Sequence, residues 1–176
     1  MKITIDINEL NDHGLIVCGN FRFPVLTNPI DEFIVPLFDS VGTDRGLKLA
    51  DMRKFDAEDG VPTNSYELEA VIVYPRSKDD SPNIKRRARD LGWQTASLRQ
   101  LVSWYLHTKF TDAKVIALGP NPKDENKRYS YDAVCGNAAP ILNYATPGKL
   151  DVCMDLVWVD WPDWARFLLV RVPKGE

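Results

Sequence analysis

Residues 151–172 read DVCMDLVWVDWPDWARFLLVRV. Two stretches of it, 151–159 and 165–172, carry apolar side chains on both of their alternating faces, and the turn chemistry of Pro162-Asp163 lies between them. A strand with one face in water alternates apolar and polar residues. A strand that is apolar on both faces has to be covered on both. This segment therefore predicts two central strands joined as a hairpin, and the rest of the chain must supply the layers that cover them.

Outward from there, the start of the chain gives a second predicted hairpin. KITIDIN, residues 2–8, puts Ile3, Ile5 and Ile7 on one face and Lys2, Thr4, Asp6 and Asn8 on the other, the period of a half-buried strand. NDHG is turn chemistry, and LIVCGNFRFPVL (15–26) reads as a strand broken by a bulge at Gly19-Asn20. EFIVPLF (32–38) is an apolar run whose Pro36 has no N–H to donate, so it is expected as an edge or irregular strand. SYELEAVIVYP (65–75) is a strong strand closed by Pro75, and AKVIALG (113–119) is a short one.

Helix signals fill the middle. In DDSPNIKRRARDLGW (79–93), Ser81 is the expected cap, Pro82 takes the first helical position and Gly92 terminates. Ile84, Ala88 and Leu91 form one narrow apolar stripe. SLRQLVSWYLHTKF (97–110) opens with Ser97 and Gln100 in capping-box spacing, and Leu98, Leu101, Val102 and Tyr105 are its expected buried face. The stretch 39–64 is rich in Asp, Gly and Lys and reads as a long functional loop with one short helix near Leu49–Phe55. The expectation is one α+β domain over 1–176: a mostly antiparallel sheet with hairpins at both ends, and two or three helices from the middle of the chain packed on it.

Composition narrows the classes. Of 176 residues, 44% are hydrophobic, enough for a full core. The opening MKITIDINEL is charged and alternating, unlike a secretory signal. The longest apolar runs, such as FLLV, are too short for a bilayer. Cys18, Cys135 and Cys153 are odd in number and have no C-x-x-C spacing, which argues against a disulfide scaffold or a zinc site and for a reducing cytoplasm. SVGTDRG lacks the spacing of either nucleotide fingerprint, and no cofactor is implied. The net charge of −3 is uneven: −7 over residues 1–80, +6 over 81–128 and −2 over 129–176.

The residues offer three candidate sites. At the tryptophan turn, Trp158 continues the Val152, Met154 and Leu156 face and is expected in the core. Trp161 and Trp164 flank Pro162-Asp163, either as the corner of a core or as exposed anchors for a partner protein. Asp160 and Asp163 beside them would favour a basic partner. On the helix at 81–90, Lys85, Arg86, Arg87 and Arg89 lie outside the apolar stripe. They form either a solvated face or a phosphate-contacting surface, which Arg99, Lys109, Lys123, Lys127 and Arg128 would extend. Trp93, Trp104, Tyr129 and Tyr131 could stack bases there. Finally, Cys135 precedes GNAAPILNY, read as a helix start, where a thiol pKa is lowered. With His13 it gives an order similar to that of circularly permuted papain-like peptidases, without a flanking signature. The acidic pairs Glu67/Glu69 and Asp151/Asp155 share strand faces, and such pairs are usually solvated rather than metal-binding.

The leading expectation is a small cytoplasmic, non-catalytic binding protein (accessory, inhibitor or immunity type). It would engage a partner protein through Trp161, Trp164, Asp160, Asp163 and the 39–64 loop. The alternatives are a nucleic-acid-binding protein using 81–128 and a cysteine hydrolase using Cys135.

Overall fold

The computed structural model describes residues 7–33, 53, 56–57, 59–110, 115–119, 137–143, 149–155 and 160–173. The elements in chain order are α1 (Ile7–Asp12), β1 (Leu15–Pro24), β2 (Glu67–Pro75), α2 (Ser81–Asp90), β3 (Gln94–Thr95), α3 (Leu98–Thr108), β4 (Val115–Ile116), β5 (Asn137–Asn143), β6 (Lys149–Asp155) and β7 (Arg166–Arg171). All seven strands belong to one sheet in the order β1-β2-β7-β4-β5-β6, with β3 pairing β7 off that path. The pairings are antiparallel except β4 with β7. The fold is α+β, with a mostly antiparallel sheet, as its strand and helix patterns predict.

β7 is central, and its burial explains its sequence. Leu168 and Val170 point to the face under α3, where they join Leu68, Ala70, Ile72, Leu101 and Trp104. Phe167 and Leu169 point to the opposite face, under α1 and α2, where they join Val71, Val73, Leu10, Ile84 and Trp93. Residues i and i+2 share a face of a strand, so FLLV fills two cores at once. β2 does the same beside it.

The strand partners differ from the predicted hairpins. Ile7 opens α1 instead of closing a strand, and Leu10 is the buried residue of that helix. Residues 2–6 of the predicted strand KITIDIN lie outside the described residues. β1 pairs with β2, and its register shifts between Val17 and Gly19. The bulge is therefore one residue earlier than read. β6 pairs with β5 and lies at the end of the strand order, while β7 takes β2, β3 and β4 as partners. The expected 151–172 hairpin of two central strands is thus replaced by one central and one outer strand. Trp158 lies outside the described residues. So do 34–38 of the predicted strand EFIVPLF, whose Glu32 and Phe33 are helical.

The helix signals hold, with one displacement. Ser97 caps α3, with both hydrogen bonds of the capping box to Gln100 present, and Leu98, Leu101, Val102 and Tyr105 are all buried. α2 is capped by Asp80 rather than Ser81, the Asp80 side chain accepting from Asn83 N at 3.0 Å. Gly92 follows the helix at φ +81°, a left-handed turn that costs glycine nothing.

Two buried ionic groups tie the layers together. Glu69 on β2 is 0% exposed and sits in a cross-strand row, Arg22–Glu69–Arg171. Arg22 Nη2 donates to Oε1 at 2.8 Å and Arg171 Nε to Oε2 at 2.9 Å. The Arg171 guanidinium also lies 4.2 Å from the centroid of the Trp93 ring. The Glu67/Glu69 pair is therefore not a solvated acidic face: Glu69 belongs to the protein's own arginines. On the other side of the sheet, Arg99 at the start of α3 meets Asp56 from the long loop. Both are buried.

Candidate functional site

The tryptophan turn is the most specific feature of the sequence, and the structure divides its two tryptophans. Trp161 is buried, at 5% exposure. It precedes Pro162, which disfavours helical backbone at the residue before it. Its N–H donates to Asp79 O at 3.0 Å, and its Nε1 donates to Ser81 Oγ at 2.8 Å. Its ring packs edge-to-face on Phe167, with centroids 5.4 Å apart. The expectation of an exposed Trp161 is overturned: Trp161 joins the turn to the start of α2. Trp164 is exposed at 42%. The turn is also one residue later than read. Ala165 N donates to Pro162 O at 3.0 Å, which puts Asp163 and Trp164 at its centre. Asp160 and Asp163 are both exposed.

Beside this turn is a cleft of about 290 Å³. One wall is Trp161, Pro162, Asp163 and Ala165. The other is the end of β2 and the residues just after it: Tyr74, Pro75, Arg76 and Lys78, with Arg166 at the first position of β7. The Arg166 guanidinium lies 4.3 Å from the Tyr74 ring centroid, and its Nη1 donates to Asp163 O at 2.7 Å and Ala165 O at 3.0 Å. Arg76 Nη2 donates to Asn11 O at 2.8 Å, and its backbone N–H to Gly14 O at 2.8 Å. The loop after α1 is thereby anchored at the cleft's edge. Gly14 has φ +80°, and a side chain there would press on Arg87 at 3.3 Å.

Three cations against one carboxylate make the cleft basic. Its charge is opposite in sign to that of the exposed Asp160 and Asp163 at the turn itself. Sequence reasoning missed Arg76, Lys78, Tyr74 and Arg166. The signal that could have found them was the cluster PRSK immediately after a strand end, combined with the Arg that opens β7.

The other candidates are not gathered. Lys85 is buried, at 9% exposure. Arg87 is ion-paired with Asp79, and Arg89 lies 3.8 Å from Asp90. Arg86 donates to Asn83 one turn earlier on its own helix. Arg99 is buried against Asp56, and Trp93 and Trp104 are core residues. Much of the expected phosphate-binding face is thus spent inside the fold. Lys123, Lys127, Arg128, Tyr129 and Tyr131 lie outside the described residues, as does Cys135. Residues 137–143, read as part of a helix starting after Cys135, form β5 instead. His13 is exposed on the turn after α1, its Nδ1 2.8 Å from Glu9 O. No group of three His, Cys, Asp or Glu among the described residues could hold a metal ion. In the 39–64 loop, of which 39–52, 54–55 and 58 lie outside the described residues together with most of the helix expected near Leu49–Phe55, Asp56 is held by Arg99 of α3.

Comparison with known protein families, curated proteins and solved structures returns no match. No helix among the described residues is long and apolar enough to cross a membrane.

Cys18, on the β1 bulge, is a free thiol near Arg166. Burial of its sulfur pushes its pKa up, against the pull of the Arg166 charge and hydrogen bond. The thiolate is the reactive form, so alkylation of native Cys18 at neutral pH should be slower than that of a free cysteine. Its rate should also keep rising to higher pH. Peptide mapping after timed alkylation across a pH series checks this; a rate equal to free cysteine at neutral pH contradicts it.

Proposed function

We propose that this protein works by binding rather than by catalysis, and that the end of the sheet bearing the Asp163-Trp164 turn is the surface that takes a partner protein. The observation that carries the proposal is an exposed tryptophan at the tip of a turn whose base is locked, next to a cleft. Trp161 fixes the base through Asp79 and Ser81. Arg166 fixes the other strand through the Asp163 and Ala165 carbonyls. A large, intrinsically rigid ring carried on a fixed backbone loses little freedom on binding, which is what makes a tryptophan an effective anchor. A reducing cytoplasm remains our reading of the compartment, supported by three cysteines without paired spacing.

The test compares affinity capture from the source cells by the parent protein, Trp164→Ala and Val172→Ser. Val172 is an exposed apolar residue at the other end of β7, so it controls for non-specific stickiness. Proteins recovered with the parent and with Val172→Ser should be lost with Trp164→Ala. Once a partner is in hand, Trp164→Ala should weaken it by about 2 kcal/mol or more, roughly 30-fold. Equal recovery by all three proteins refutes the proposal.

A further inference from the structure

We infer that the cleft beside the tryptophan turn is an anion site, and that the segment it takes from a partner protein is acidic. This rests on the docking surface proposed above and deepens it, because it assigns the charge of the occupant.

Among the other described cations, Arg86 takes the Asn83 side chain and Lys109 the face of Tyr105, while most of the arginines are ion-paired. Arg22, Arg53, Arg87, Arg99 and Arg171 each lie within ion-pair distance of a carboxylate. Arg76, Lys78 and Arg166 line one cleft, and none of them has a carboxylate partner among the described residues. The Asp163 carboxylate shares the cleft, but the bond from Arg166 goes to the Asp163 backbone carbonyl. Like charges collected around one concavity repel each other, and the field they focus there attracts an anion. What sets these three apart among the described residues is that they line one cleft together.

The geometry is also built for a ligand. Arg166 is held by two backbone carbonyls and the face of Tyr74, and Arg76 by Asn11 O, so two of the three charges are positioned before anything binds. A fixed guanidinium suits the planar oxygens of a carboxylate. The volume, about 290 Å³, exceeds what one small oxyanion fills, and Trp161 and Pro162 give it an apolar wall. A short peptide segment with acidic side chains matches both features, and the exposed Trp164 stands where its apolar flank would lie. A nucleic-acid strand matches poorly, because backbone tracking needs a continued row of cations. Lys85 is buried and Arg87 is engaged by Asp79, so α2 does not continue the row.

The test is a titration of isotope-labelled protein, followed by the backbone amide signals of residues 74–78 and 160–166. The probes are a blocked tetraglutamate peptide, a blocked tetralysine peptide and inorganic phosphate, all at low salt. Tetraglutamate should shift this set of signals and tetralysine should not. Added salt should weaken the effect, because exposed charges are screened. Lys78→Glu should weaken tetraglutamate by at least about threefold, and Arg76→Glu with Lys78→Glu by at least about tenfold, each attraction having become a repulsion. Lys78 makes no hydrogen bond among the described residues, so its single substitution stands even if the double variant folds poorly. Absence of shifts, equal shifts with tetralysine, or unchanged binding by Lys78→Glu overturns the anion site. Phosphate binding as tightly as tetraglutamate overturns the peptide assignment. If Trp164→Ala loses a captured partner while tetraglutamate does not bind, docking at the turn stands and the acidic occupant falls.

Discussion

Replacing Asp56 with alanine should destabilise the protein by about 3–5 kcal/mol, the usual loss when one member of a buried ion pair is removed. Asp56 and Arg99 are 4% and 3% exposed. Their contact is a two-pronged fork, Nε to Oδ1 at 2.8 Å and Nη2 to Oδ2 at 2.8 Å. Nη1 of the same guanidinium donates to Leu26 O at 2.8 Å and Asn28 O at 2.7 Å. One arginine thus fastens the segment around 56 and the chain leaving β1 to the first turn of α3. Without Asp56, a charged group remains buried with two of its donors unsatisfied, which is where most of the loss arises. Asp56→Leu combined with Arg99→Met should lose less than Asp56→Ala alone, because removing both charges also removes their desolvation cost. Urea titrations of the three proteins give the comparison, and proteolysis should open the 53–64 stretch first in Asp56→Ala. A loss below about 1 kcal/mol would mean that the pair behaves as a surface contact and does not anchor the loop.

Local chemistry was legible in the sequence, and partnership was not. The α3 capping box, its buried face, the bulge in β1 and the double-sided burial of β7 depend on residues close in sequence, and each is found within a residue of its expected place. The cap of α2 is Asp80, whose extended backbone and carboxylate serve the first turn, while the Ser81 hydroxyl accepts from Trp161 Nε1, a contact between distant segments. KITIDIN has the period of a strand, but Ile7 and Leu10 are also i and i+3 on a helix, and burial of Leu10 against the sheet favours the helix from Ile7 onward. Apolar runs state that a strand is covered without stating what lies beside it. Hence β7 could be read as central while its neighbours β2 and β4 were not foreseen.

The same reason separates the candidate site from its prediction. Glu69 looked like a solvated acid because its two arginine partners become neighbours only through the β1–β2–β7 register. Arg76, Lys78 and Arg166 are unremarkable on separate strand ends, and the antiparallel pairing of Val73 with Phe167 is what brings those ends together. The four basic residues of α2 formed a conspicuous run, yet burial of Lys85 and pairing of Arg87 remove half of it from the surface.

Trp161→Ala should cost about 3–5 kcal/mol, while Trp164→Ala should stay within about 0.5 kcal/mol of the parent in stability. The two residues are three apart and chemically identical, so the contrast isolates environment. Trp161 is 5% exposed and belongs to the core cluster with Phe167, Ala165, Ile84 and Trp93. Its removal empties a ring-sized volume between the sheet and α2, in an interior that cannot relax to fill it. It also takes the donor from Ser81 Oγ in the first turn of α2. Trp161→Phe separates these contributions: most of the packing remains, the indole N–H is lost, and the cost should fall to about 1–2 kcal/mol. Trp164 is 42% exposed at the centre of the turn, so its truncation returns apolar surface to a region already in contact with water. Urea titration of the three variants decides the matter. If Trp164→Ala destabilises as much as Trp161→Ala, the exposed ring is a structural strut, and any binding lost by that variant would report unfolding in place of a missing anchor. If the two diverge as expected, loss of a partner by Trp164→Ala is a property of the surface alone.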